Sequence, residues 1–123
     1  MALSATALLG RVDMPPSFVG QSAQAPKLSA FVVEFTIQAA DYSSGITFAA
    51  IVAAVNAVAQ PAVQITAIMG AVVLEVRVAA NTLVGGFGEM DVNAAKLRFL
   101  TAATPTDYTA TNNDVWRVLV IGL

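Results

Sequence analysis

The chain has 123 residues, 57% of them hydrophobic and 11% charged, with a formal net charge of −2 and neither histidine nor cysteine. Without imidazole or thiol, the commonest general base, the strongest nucleophile and the usual transition-metal ligands are missing, which argues against an enzyme and against a bound metal or cofactor. Its six Lys and Arg residues are scattered, whereas phosphate neutralisation needs a clustered basic face, so nucleic acid is not an expected partner.

At 12.7 kDa the chain makes one domain, and a domain this small leaves much of its surface in water. Ordinary soluble domains cover that surface with roughly 25% charged residues. Here there is too little polar material, and the expectation is burial of apolar patches against other chains or in lipid. The lipid reading rests on residues 46–74, which carry no charge. Asn56, Gln60, Pro61 and Gln64 interrupt that stretch, leaving no run of about 20 apolar residues, and no Lys/Arg cluster flanks it, so a membrane span is the weakest of the readings. Residues 1–10 have no basic region ahead of their short apolar stretch, and no secretory signal is expected. The lack of Cys fits any redox compartment.

In chain order, residues 1–27 stand apart. Ser, Thr, Gln, Gly and the prolines Pro15, Pro16 and Pro26 are mixed with apolar studs at Leu8, Leu9, Val12, Met14, Phe18 and Val19, which fit no sustained period. This predicts an extended N-terminal arm, able to reach roughly 90 Å at about 3.3 Å per residue, docked on its own body or on a neighbour through those studs. The body, residues 28–123, opens with a strand over 28–38, with Phe31, Val33, Phe35 and Ile37 on one face and Val32, Glu34 and Thr36 on the other. Ser43-Ser44-Gly45 breaks it. Phe48, Ile51, Val52, Val55, Val58 and Ala59 then recur at three and four, predicting one short helix with Ser44 or Thr47 as N-cap and Pro61 beyond its end. The uncharged opposite face, Ala50, Ala53, Ala54 and Ala57, is expected to be covered as well.

Alternation returns in residues 62–69 and 71–80, two β stretches separated near Gly70, with Val72, Leu74, Val76 and Val78 opposing Val73, Glu75, Arg77 and Ala79. Gly85-Gly86-Phe87-Gly88 reads as a turn using positive φ angles. A strand follows over 96–101, with Leu97 and Phe99 inward and Lys96 and Arg98 outward, then a Thr-rich loop over 101–114. The last strand, 115–123, is apolar on both faces: Trp116, Val118 and Val120 on one, Val115, Leu119 and Ile121 beside Arg117 on the other. It is predicted to be central in a sheet or buried at a subunit interface. The fold class is mainly β, an antiparallel sandwich-like body with one helix, and α+β is the alternative.

Candidate chemistry is sparse. Glu34 and Glu75 are the residue types of a glycosidase pair, but on polar strand faces with Arg77, Lys96, Arg98 and Arg117 available, cross-strand ion pairing is the stronger reading. The Gly-rich segment lacks the Lys and Ser/Thr of a phosphate loop. Asp107, Asn112 and Asp114 offer oxygen ligands without the spacing of a calcium loop, and Asx turns explain them equally well.

The layout of arm, strand-rich body and apolar final strand, in a small Cys-free Ala/Val/Thr-rich chain, resembles the decoration or cement proteins and other minor virion proteins of tailed bacteriophages. The resemblance implies a structural, non-enzymatic subunit located in a virion, a homo-oligomer clamped on a major capsid or other virion protein. The arm studs and Trp116 are its expected contact residues, since aromatics carry disproportionate interface energy, though Trp116 fits a core position equally well. The alternative reading is a cytoplasmic module holding an apolar small molecule in a sheet-and-helix cavity.

Overall fold

The computed structural model describes residues 3–14, 28–59, 65–79, 82–101 and 106–123. They form strands β1 (Ser4–Met14) and β2 (Leu28–Ile37), a 3₁₀ turn (Ala39–Asp41), β3 (Ile46–Thr47), helix α1 (Phe48–Val58), β4 (Ile68–Arg77), β5 (Gly86–Asp91), β6 (Lys96–Thr101), β7 (Thr106–Asp107) and β8 (Asp114–Gly122). The first sheet has the order β1-β2-β8-β4, and in the second β6 lies between β5 on one side and β3 and β7 on the other. Every ladder is antiparallel. The chain is therefore mainly β with one short helix, as its alternation predicts, and the final strand is indeed central.

The core lies between the inner face of the first sheet and a layer made by α1 and the second sheet. Phe31, Val33, Phe35 and Ile37 of β2 and Trp116, Val118 and Val120 of β8 meet Ile51 and Val55 of α1 and Leu97 and Phe99 of β6. The Phe99 and Trp116 rings join the two sheets edge to face, 5.5 Å between centroids. Thr47 caps the helix by accepting the Ala50 N–H, and Ile51, Ala54 and Val55 are its buried residues. Ala54 thus belongs to the core face, while Ala53 and Ala57 are exposed rather than covered. Asn56 ties the helix to the approach of β4: its amide donates to the Ile65 carbonyl and accepts the Ile65 N–H, both at 2.9 Å.

Of the predicted arm, Ser4–Met14 runs as an edge strand along β2, on its own body, one of the two dockings the sequence leaves open; two other expectations are corrected. Register shifts between Ala5 and Ala7 and between Leu8 and Gly10 reset the side-chain alternation twice, so no period of two survives in the sequence. Residues 15–27, with Phe18 and Val19, lie outside the described residues. Next, β4 runs unbroken through Gly70, and its shifts at 68/70 and 73/75 place Val73 with Val76 against the core while Val72 and Glu75 face out. Finally, the Gly-rich segment is a strand. A Cβ on Gly86 would sit 2.3 Å from the Leu100 carbonyl oxygen and one on Gly88 2.7 Å from a Val73 methyl, so these glycines permit close approach of β5 to its neighbours. The turn comes later, at 92–95, where Ala95 has φ 54°.

The 46–74 stretch divides between α1 and β4, and no helix among the described residues is long and apolar enough to cross a membrane. At about 1.5 Å per residue, α1 covers roughly half of a bilayer's hydrocarbon thickness.

Candidate functional site

Among the described residues, each arginine pairs with a carboxylate. Arg117 on β8 lies between the two glutamates, 3.2 Å from Glu34 and 4.0 Å from Glu75, and Arg77 also pairs with Glu75. A glycosidase needs one carboxyl free to act as nucleophile or base and a second to act as acid; here both carboxylates are engaged by guanidinium groups. Lys96 and Arg98 take other partners: the Lys96 ammonium donates to the Ser43 carbonyl at 2.8 Å, and Arg98 grips Asp107 through two bonds of 3.1 and 2.9 Å.

At one end of the core an aromatic cluster is held by two aspartates. Tyr42 accepts the Phe99 N–H at 3.0 Å, and its hydroxyl lies 3.0 Å from Asp107. Burial pushes the Tyr42 phenol up to about 12, while the hydrogen bond from Arg98 holds Asp107 below the usual carboxylate range. Tyr108 donates to the fully buried Asp114 at 2.7 Å, and burial together with that bond pushes its phenol up to about 12. Asp114 also accepts the Thr111 N–H and hydroxyl, and Asn112 accepts the Ala39 N–H. The oxygens that the sequence offers to a hard cation are thus engaged with protein donors. No group of three or more acidic residues among the described ones is placed to hold a metal.

Among the described residues, an extended apolar surface lies on the outer face of the first sheet. In-register pairing arranges its outward residues in rows across all four strands: Gly10, Val32, Leu119 and Val72 in one, Val12, Ala30, Ile121 and Gly70 in the next. Both rows are wholly apolar. A charged row, Ala7, Glu34, Arg117 and Glu75, borders them, followed by Thr36, Val115 and Arg77. Val12 is 65% exposed and Val72 53%, and neither these two nor Val32, Leu119 and Ile121 belong to the core or pack against it. A second apolar feature is a groove of about 460 Å³ between α1 and the start of β4, lined by Phe48, Ala49, Val52, Ala53 and residues 66–68.

The sequence-predicted contact residues separate. Leu8 packs against the core, Leu9 is exposed at the second shift of β1, and Val12 stands on the open face. Met14 ends β1 with its backbone opposite Leu28. Trp116 is fully buried against Tyr42, Phe99 and Tyr108, a core residue out of a partner's reach in the folded chain. The residues missed are Val32, Leu119, Ile121 and Val72, and the doubly apolar pattern of β8 was the signal for two of them. No protein-family model, curated protein or solved structure matches the chain, which leaves the open face of the first sheet as its most informative surface.

Proposed function

We propose that the chain is a non-enzymatic structural subunit that works by burying the open face of its first sheet against a neighbouring protein. The observation that carries this reading is the pair of apolar rows spanning four strands. Fully apolar rows on the outside of a small domain cost solubility and contribute stability once they are covered. The ion pairs and aspartate networks already described engage the charged groups with protein partners, and among the described residues no cluster is placed to hold a metal, which supports the same reading. In the finer form suggested by the layout, the neighbour is a virion lattice and the chain decorates or cements it.

Absolute mass by light scattering coupled to size exclusion, in detergent-free buffer, tests the reading. A discrete multiple of 12.7 kDa is expected, and a monomer at every concentration overturns self-assembly as its basis. Deleting residues 1–27 is not a clean test, because it removes β1 and unpairs β2. The groove beside α1 favours a second reading, a module for an apolar small molecule, since its volume lies within the range of ligand pockets. That reading predicts a monomer whose melting temperature rises with an apolar ligand such as a medium-chain fatty acid.

A further inference from the structure

Resting on the structural-subunit reading, we infer that the open face is covered by the same face of a second copy, about a two-fold axis parallel to the strands and midway between β2 and β8. Both edges of the first sheet carry features that disfavour strand addition. Edge strand β1 carries two register shifts and turns Arg11 and Asp13 toward the inner face, opposite Phe31 and Ser29, devices that discourage edge pairing. At the other edge, the Ala71 N–H is taken by the Met90 sulfur, and backbone bonds from Val84 to Val76 and from Val78 to Thr82 cap the end of β4. Association is left to the face.

The rows determine how two faces fit. An axis parallel to the strands keeps each row over itself and reverses strand order, so β1 of one copy covers β4 of the other and β2 covers β8. The protruding Val12 then meets Gly70, and the protruding Val72 meets Gly10, a residue without a side chain in each case. At the centre Val32 meets Leu119, and in the charged row Glu34 meets Arg117. Size and charge are both self-complementary, as an isologous interface requires. An axis perpendicular to the strands would instead lay the charged row on Val32, Leu119 and Val72, desolvating ions against aliphatic groups. Four strands about 4.8 Å apart and four rows about 6.8 Å apart span on the order of 500 Å² of plane, so two copies bury on the order of 1,000 Å² or more, the threshold for a specific interface. Twist rotates aligned sheets by roughly 30°, which slides the corners and leaves the central β2/β8 contacts in place.

Complementary substitutions read out this register. Light scattering should give the full-length chain twice 12.7 kDa or an even multiple of it. Val32→Lys and Leu119→Glu, each outward of the core, should halve the assembly while far-UV circular dichroism stays unchanged. An equimolar mixture of the two variants should restore association, because the introduced lysine of one copy faces the introduced glutamate of the other. Val72→Lys, at the sheet edge, should also weaken association and serves if either central variant misfolds. An oligomer indifferent to these substitutions, or a mixture that stays dissociated, overturns the two-fold and leaves the structural-subunit reading standing on another interface. A wild-type chain that is monomeric at every concentration overturns the two-fold, and self-assembly as the basis of the structural-subunit reading with it.

Discussion

The perturbed side chains Tyr42, Tyr108 and Asp107 make stability depend on pH at both ends of the scale. Tyr42 and Tyr108 have phenols pushed from the ordinary value of 10.0 up to about 12, chiefly by burial. Between those pH values the unfolded chain has lost protons that the fold retains, so the stability present below pH 10 declines as pH rises from 10 to 12. Thermal melts across that window should show the loss, and the Tyr42→Phe/Tyr108→Phe double variant should have a shallower slope even though its melting temperature at pH 7 is lower. An equal slope would place the alkaline transition elsewhere. Asp107 acts at the acid end: held down by Arg98, it contributes stability that is lost as pH falls below the usual carboxylate range. Ala95 offers the opposite kind of change. Its φ of 54° costs an L-residue roughly 1–2 kcal/mol, and glycine gives back part of that relief through unfolded-state entropy. Ala95→Gly should therefore stabilise by up to about 1 kcal/mol, a rise of several degrees in Tm for a domain of this size. A fall in Tm would mean that the alanine methyl makes contacts outweighing the strain.

Elements were legible in the sequence where one physical signal dominated and obscure where two competed. Strand β2 alternates without interruption from Leu28 to Ile37, and α1 has its three-and-four spacing together with a Thr47 cap, so both were found nearly to the residue. In β1 and β4 the alternation is real but slips at register shifts, and one displaced residue moves all that follow to the other face. That is why the sequence of β1 looks like an irregular arm and why simple alternation places Val72, on the open face, with the inward Val76. Strand β5 was hidden by composition, since local propensity assigns Gly86 and Gly88 to a turn while the packing that needs them is tertiary. Gly86→Ala should confirm the distinction. Its Cβ would meet the Leu100 carbonyl at 2.3 Å, and backbone cannot move aside as a side-chain tip can, so the variant should lose about 1–3 kcal/mol in urea unfolding. Gly85→Ala, where no atom lies within 4 Å, should be close to neutral; comparable losses at both positions would return the segment to a turn. Asn56 is a subtler device, invisible to periodicity because its partner is backbone at Ile65. Asn56→Ala leaves that N–H and carbonyl without their partner and should cost about 1–3 kcal/mol.

For the molecule as a whole, β8 is an interior strand of the first sheet that the chain supplies late. It pairs with β2 on one side and β4 on the other, so β4 joins the first sheet only through it. Its inward residues Trp116, Val118 and Val120 are essentially inaccessible, and full burial at about 1.5–3 kcal/mol each gives on the order of 5–9 kcal/mol from three side chains. That equals most of the 5–15 kcal/mol net stability typical of a domain. The same strand supplies Leu119 and Ile121 to the open face, joining the fold and the proposed assembly in one element. Its partners are remote in sequence, with Ile37 opposite Asp114 and Ser29 opposite Gly122, so both ladders must wait until the end of the chain is in place. Two consequences follow from this topology. Refolding should take milliseconds to seconds rather than microseconds, because long loops close before their contacts contribute. A chain ending at residue 113 should show no cooperative thermal transition by circular dichroism, since β2 and β4 would expose their ladders and the hydrophobic face that β8 covers. A cooperative melt from that truncated chain would mean that the second sheet and α1 form a core of their own, and β8 would then be a strand added to an existing fold rather than the one on which it closes.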